Sequence, residues 1–597
     1  MSVNIFNSVK GLHPRRNSFS AHTYRNDFTS TLGLNIPVYV QHVPPATRVR
    51  VSTSALIRLQ ALTAPIMDNI DFYVHFWQLP YRLIENDRFT QFISGEIDPE
   101  EYTGVFGTPK KLATYIANGC VKYGEKANEN YLKIVGNGSL LDFLGYDIGL
   151  FPTGFDVVDE EVVMDDNGND WKDFNFRGVI AYYMLHVNWY MNENVPYFAN
   201  FVEKVEGMQK DYGDEALERL AELLILTFDA FGTTILPHAW EKDYFTSALP
   251  NVQFGSPVTL PIAGTAPVTI PAASGKFIEF GNVPDKDSYY GIWSTGGNVH
   301  IVREGGYAYL SSTAESAEDP QDVDDDSYLN GINVKTPSFS GTADLSEATA
   351  ITINELRFAN ALQVFKERQL RYGRRRLEHY KGFFDVTPED LRLQVPKYLG
   401  GGRIPINIAD IEQTSSSDAN GALGHLAGKA TAVAGGFAGF TTFCSEETIL
   451  IGIAFAMPHI TYGQNVSKFL LKTNDIYDYF NPSFEHLGEQ EIDKLEVFSA
   501  SSGASVFGYT PRYTEYRFHN NEMHGEFKNS LAYWNLGRLF ATRPALNANF
   551  IYMQPSVFDR IFAVQSTAGQ SAMLASMLFR QRIIQPVSKF GTPMLLA

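Results

Sequence analysis

Two groups of cations stand out in a 597-residue chain whose formal net charge is −19. Lys10, Arg15, Arg16 and Arg25 face a single acid, Asp27, within a polar, Ser/Asn-rich stretch over residues 1–35. The second group, Arg368, Arg371, Arg374, Arg375 and Arg376, ends a helical pattern over Ser346–Tyr372. Guanidinium and ammonium groups pair with phosphate oxygens, so both groups could hold a phosphate backbone. The second also has a plainer reading, because cations at a helix C-terminus complement its dipole. Lys10, Arg15, Arg16, Arg25, Arg371, Arg374, Arg375 and Arg376 are therefore the candidate nucleic-acid contacts. An acidic chain does not hold nucleic acid by bulk charge, so such contacts must be local or supplied by a partner.

Other chemistry is harder to place. The run Asp165–Asp170 has no register with Gly sixth and Glu twelfth, so a calcium loop is rejected. Asp322, Asp324 and Asp326 fail in the same way, with Ser327 where Gly is needed and Asn333 where Glu is needed. Gly428-Lys429 imitates a phosphate loop, but Ala430 stands where Ser or Thr would hold magnesium. There is no Gly-x-Ser-x-Gly elbow, His-Glu-x-x-His or Cys-x-x-Cys. We expect no catalytic residue, metal or cofactor, and hence no enzyme. His186, on a helical stripe over Arg177–Asn194, reads as a packing residue.

The elements that must position these groups centre on Asn69–Ile84. Ile70, Phe72, Val74 and Phe76 alternate with Asp71, Tyr73, His75 and Trp77, a period of two that makes a strand with one core face. Its other face is aromatic and polar, which predicts a cover other than bare water. Pro80 should end it. Ile36–Val43 and Thr47–Leu59 read as strands separated by Pro44-Pro45, with Val49 and Val51 alternating against Arg48 and Arg50. Glu447–Met457 is a near-continuous apolar run and reads as a strand buried on both faces. Ser505–Phe518 is a further strand region. Residues 85–150 mix short helices and turns, and Asp214–Phe231 is amphipathic. Phe358, Ala361, Leu362, Phe365 and Tyr372 form one stripe of the 346–372 helix, with Asp344 or Ser346 as its cap. Between residues 251 and 350, 13 acids face 4 bases and Pro and Gly recur, which suggests an inserted surface excursion.

Composition agrees with a large β-rich core: 44% apolar residues and 13% aromatics, with 48 Gly and 29 Pro for turns. Two cysteines, Cys120 and Cys444, leave no disulfide framework and suit a reducing compartment. No apolar run has the length of a membrane span, and the N-terminus lacks the apolar core of a signal peptide.

Five blocks carry a resemblance. They are Ser18–Tyr24 with Gly33–Val43, Met67–Phe92, Trp240–Pro250, Leu345–Gly402 and Tyr509–Phe562. The strings Trp-Glu-Lys-Asp-Tyr-Phe-Thr-Ser-Ala-Leu-Pro from Trp240 and Arg-Leu-Gln-Val-Pro-Lys-Tyr-Leu-Gly-Gly from Arg392 are the specific ones. In these the chain resembles the major capsid protein of microviruses, nearest the gokushovirus branch. The resemblance implies a mainly β fold, an eight-stranded antiparallel jelly roll with long loop and helical insertions. It further implies a T=1 icosahedral shell around circular single-stranded DNA, assembled in a bacterial cytoplasm and located in the virion. The implied partners are copies of itself, the packaged DNA, a small basic DNA-binding protein, a minor or pilot capsid protein and a host receptor. The expected organisation is an internal arm over 1–35, jelly roll with insertions over 36–250, a surface insertion over 251–344, and the rest of the jelly roll over 345–597. Residues 251–344 and about 150–175 fall outside the resemblance. The rival reading is a carbohydrate-active or carbohydrate-binding β-sandwich, since aromatics and carboxylates could line a sugar cleft.

Overall fold

The structure is a computed structural model of the 597-residue chain. It describes residues 16–589 apart from 21, 99–101, 103, 159–160, 166–171, 254, 256–264, 271–273, 277–289, 295–296, 305–306, 312–332, 336–338, 345–352, 373–380, 386–393, 413–425, 474, 501–504 and 564–570. Among the described residues nine strands form the main sheet: β1 Asn17–Phe19, β2 Tyr24–Ser30, β3 Ile36–Val43, β4 Thr47–Leu59, β5 Ile70–Pro80, β6 Lys397–Glu412, β7 Leu426–Cys444, β8 Thr448–Pro458 and β9 Met573–Gln585. Every pairing is antiparallel. β1 and β2 share one edge of β9, and the order continues β4, β7, β6, β5, β8, β3. Nine strands thus fill eight positions. The ladder turns at β6, which pairs with β5 through Lys397–Ile406 and with β7 through Asn407–Glu412. Two four-position layers result, β1/β2-β9-β4-β7 and β6-β5-β8-β3, which is the strand order of a jelly roll.

The layers meet through their apolar faces. Tyr39 of β3 contacts Phe579 of β9 at 5.3 Å between ring centroids, and Phe76 of β5 contacts Phe440 of β7 at 5.0 Å. The Tyr39 hydroxyl donates to Gln581 Oε1 at 2.9 Å, so the polar end of the ring is paired inside the core. Ile70, Phe72, Val74 and Phe76 are all buried, as their alternation predicts. Each such side chain stabilises the fold by about 1.5–3 kcal/mol relative to exposure. β8 is buried along nearly its whole length, as expected of a strand covered on both faces.

Close backbone approaches along β6 require glycine. A Cβ on Gly402 would lie 2.0 Å from the Phe437 carbonyl oxygen, and one on Gly401 would lie 2.5 Å from that of Val74. Gly400, at φ +147°, sits at the bulge where β6 shifts register on β5.

Two long excursions leave this framework, one between β5 and β6 and one between β8 and β9. The first carries α1 Pro109–Cys120, α2 Arg177–Leu185 and α3 Asp214–Phe231. α2 continues as a π-turn, His186–Tyr190, and this turn covers the aromatic face of β5. The Tyr190 hydroxyl lies 3.1 Å from both His75 Nδ1 and Trp77 Nε1, and Trp189 packs on Trp77 at 4.8 Å. His186 is buried, and burial pushes its pKa down to about 3, so the ring is neutral. Its Nδ1 donates to the Tyr182 carbonyl at 2.8 Å, while Nε2 has no partner among the described residues.

Residues Ser256–Phe365 form a second compact unit within the same excursion. It contains an antiparallel pair, Thr265–Ile270 with Phe339–Asp344, and a three-stranded sheet of Tyr290–Ser294, Gly297–Glu304 and Tyr307–Ser311. The acidic runs at 166–170 and 322–326 lie outside the described residues. α4 runs Ile353–Tyr372; the expected start at Ser346 lies outside the described residues, and Asp344 belongs to a strand rather than a cap. Helical spacing does not ensure burial here. Phe358, Ala361 and Leu362 are exposed, whereas Leu370 is buried. Gly428-Lys429 lies inside β7, paired with β6, so it is no phosphate loop.

Candidate nucleic-acid and assembly surfaces

The predicted basic residues do not converge. Arg16 lies over the Phe443 ring at 5.3 Å. Arg25 is exposed and pairs with Asp27 at 2.7 Å. Arg371 pairs with the carboxylate of Glu489, whose side chain is fully buried. Its charge therefore serves a buried acid. Lys10, Arg15, Arg374, Arg375 and Arg376 lie outside the described residues.

A different basic surface emerges from strand register. β4 alternates buried Val49, Val51 and Ile57 with exposed Arg48, Arg50 and Arg58. β9 alternates buried Phe579, Gln581 and Ile583 with exposed Arg580 and Arg582. The two strands pair so that Arg50 stands opposite Arg582, with Arg580 opposite Ser52 and Arg48 opposite Ile584. Four arginines thus gather on one sheet face. Directly opposed side chains have Cβ atoms about 4.5–5.5 Å apart, and like charges there repel. Among the described residues no carboxylate pairs with Arg48, Arg50, Arg580 or Arg582; Arg582 Nε donates to Ser18 Oγ at 2.9 Å. Phe443 is on the same face, opposite Arg48 on β7. Uncompensated guanidiniums beside an exposed ring suit phosphate and base contact with a single strand. Each arginine pair, alone, reads as a solvated strand edge. The signal is their alternation, but the register joining residue 50 to residue 582 is not written locally.

The carboxylates also form a site. A cavity of about 550 Å³ lies beside the start of β5, lined by Asp68, Asp71, Arg403 and His459 among others. Asp71 accepts from Arg403 and faces His459, each at 3.5 Å. Burial pushes the Asp68 carboxyl up to about 6, although the backbone N–H groups of Asn69 and Leu536 donate to it and His459 and Arg560 lie near. The folded state therefore favours protonated Asp68. Its contribution is complete below the ordinary value of 3.8 and is lost as pH rises through about 6. We expect the melting temperature to carry a component that falls across this window, and Asp68→Asn to remove it. A pH–melting curve unchanged by the substitution would contradict the assignment.

The specific string Trp240–Pro250 anchors the β8–β9 excursion. Asp243 Oδ1 accepts from the N–H groups of Phe245 and Thr246, and its Oδ2 accepts from the Tyr462 hydroxyl at 2.7 Å. Tyr244 donates to buried Glu496 at 2.9 Å. Arg538 is buried over Trp240 and Phe550 and donates to the Phe550 carbonyl at 2.7 Å. These residues hold structure together, and this explains why an uncommon string is needed there.

Comparison with known proteins points the same way. The chain is 29% identical to the capsid protein VP1 of Bdellovibrio phage phiMH2K, over 96% of both chains. It is 27% identical to the capsid protein VP1 of Chlamydia phage 1, covering 99% of this chain and 97% of that one. It is 23% identical to the capsid protein VP1 of Spiroplasma virus 4, covering 99% and 97%. The carbohydrate reading finds no support among these relatives. The family described as "Capsid protein (F protein)" matches residues 7–120 and 162–595, so its break falls at 121–161, and 251–344 lies inside the matched span. With its jelly-roll strand order and this match over most of its length, the chain belongs to the phage capsid protein (F protein) family.

Proposed function

We propose that this major capsid protein assembles with copies of itself into a T=1 icosahedral shell around circular single-stranded DNA. The role is structural rather than catalytic. The observation that carries the DNA part of the reading is the arginine face of β4 and β9, an unpaired positive surface on a chain of net charge −19. Arg48, Arg50, Arg580 and Arg582 lead the DNA contacts, with Arg16 beside Phe443. Lys10, Arg15 and Arg374–Arg376 remain candidates, whereas Arg25 and Arg371 already pair with carboxylates. A small basic protein would supply the further charge that condensation needs. A minor or pilot capsid protein completes the virion, which assembles in a bacterial cytoplasm.

Residues 251–344 are proposed as an exterior projection that meets a host receptor. Their acidic excess would repel packaged DNA, and among the described residues the compact unit Ser256–Phe365 contributes no strand to the main sheet. Purified protein should yield uniform small shells in electron micrographs; monomers alone would overturn the reading. Replacing 251–344 with a short Gly/Ser linker should leave assembly and packaging intact and reduce host attachment. Loss of folding would place the segment in the core, and normal attachment would refute the receptor role.

A further inference from the structure

We infer that the exposed aromatic face of the β8–β9 excursion is a contact between copies of this chain, an inference that rests on the capsid reading. Phe469 packs edge-on against Tyr516 at 5.0 Å, and Phe480 lies 6.1 Å from the same ring. The Tyr513 hydroxyl donates to the carbonyls of Tyr477 and Tyr479, which holds the adjoining segment beside them. Four rings here are half exposed, Phe469 47%, Tyr477 45%, Phe480 48% and Tyr516 51%, and the chain neighbours Leu470 76% and Ile476 67% are largely uncovered.

Aromatic side chains bury about 150–250 Å² each. Four of them half exposed present roughly 300–500 Å², and Leu470 and Ile476 add to it. The largest apolar patch on an ordinary monomer is about 300–600 Å², and one side of a standard interface is about 800 Å². The patch is therefore as large as the largest on an ordinary monomer and makes up a good part of one interface side. Tyr and Phe enrichment with ion pairs at the margin is the pattern of an interface core and rim. Here the margin holds the exposed pair Arg517–Glu485 at 3.0 Å. A second copy is the occupant that fits, since permanent self-assembly uses more apolar surfaces than transient recognition does.

Leu470 and Ile476 are the most exposed of the six, so folding depends on them least. The double variant Leu470→Glu with Ile476→Glu should leave the melting temperature of dissociated subunits unchanged. Its particle yield by sedimentation should fall at least tenfold. Val433→Ser, at an equally exposed apolar position on β7, should assemble normally. Wild-type yield from the double variant would overturn the inference, as would equal loss in Val433→Ser. A lowered subunit melting temperature with normal yield would mean that the chain's own residues cover the face, and would also overturn it. Should the double variant fail to fold, Leu470→Ser removes apolar area without adding charge. It should raise the critical concentration for assembly, and an unchanged critical concentration would refute the contact. Failure of the wild type itself to form particles would instead remove the capsid reading beneath it.

Discussion

Arg177→Met is expected to destabilise the folded subunit by about 3–5 kcal/mol, the cost of leaving a buried charge without its partner. Arg177 and Glu85 are among the few buried ionic side chains, with side-chain exposures of 9% and 3%. The guanidinium donates to both Glu85 oxygens, Nε at 2.5 Å and Nη2 at 2.9 Å, and to the Tyr102 hydroxyl at 2.8 Å. It also lies over the rings of Tyr81 at 4.7 Å and Phe106 at 4.8 Å. Tyr102 in turn donates to Glu85. This network joins the end of β5 to the start of α2, so it fixes where the helical excursion sits on the sheet. Arginine's planar fork serves a carboxylate and two ring faces at once, which lysine could not do. Denaturant unfolding of dissociated subunits would measure the loss. The double variant Glu85→Gln with Arg177→Met should recover much of it, because neither partner is then a lone buried charge. A loss below about 1 kcal/mol in the single variant would show that water reaches the site and screens it.

Replacing Arg48, Arg50, Arg580 and Arg582 together with Ser should leave shells intact and sharply reduce the DNA they retain. All four side chains are exposed while their strand neighbours fill the core, so the fold does not need them. Relief of the Arg50–Arg582 opposition should leave the sheet as stable or slightly more stable. On a single strand each phosphate contact contributes about 0.7 to the slope of log affinity against log salt, so four lost contacts should lower it by about 3. Binding of an oligonucleotide to dissociated subunits across a salt series would measure this. Retention that depends on Phe443 stacking should survive high salt. An unchanged slope would remove these arginines from the DNA surface.

Much of the framework was legible because its information is local. Alternation over Ile70–Phe76, over Thr47–Leu59 and the unbroken apolar run before Pro458 specify strands and their buried faces, since period-two burial needs no knowledge of the partner. α3 has the bounds expected from its amphipathic repeat, Asp214–Phe231. The aromatic face of β5 was also foreseeable as covered, because His75 and Trp77 need hydrogen-bond partners out of water. That Tyr190 supplies both depends on a turn more than 110 residues away. The same limit governs the site. Clustered arginines such as Arg371 attract notice in a sequence, yet a fold can spend them on a buried acid like Glu489. Arg50 and Arg582 become neighbours only when β4 pairs with β9. Local periodicity thus determined which strand residues face the core and that the chain is mainly β. Tertiary pairing alone decided which cations share a surface and which are already neutralised, because charge acts through distance in space and not along the chain.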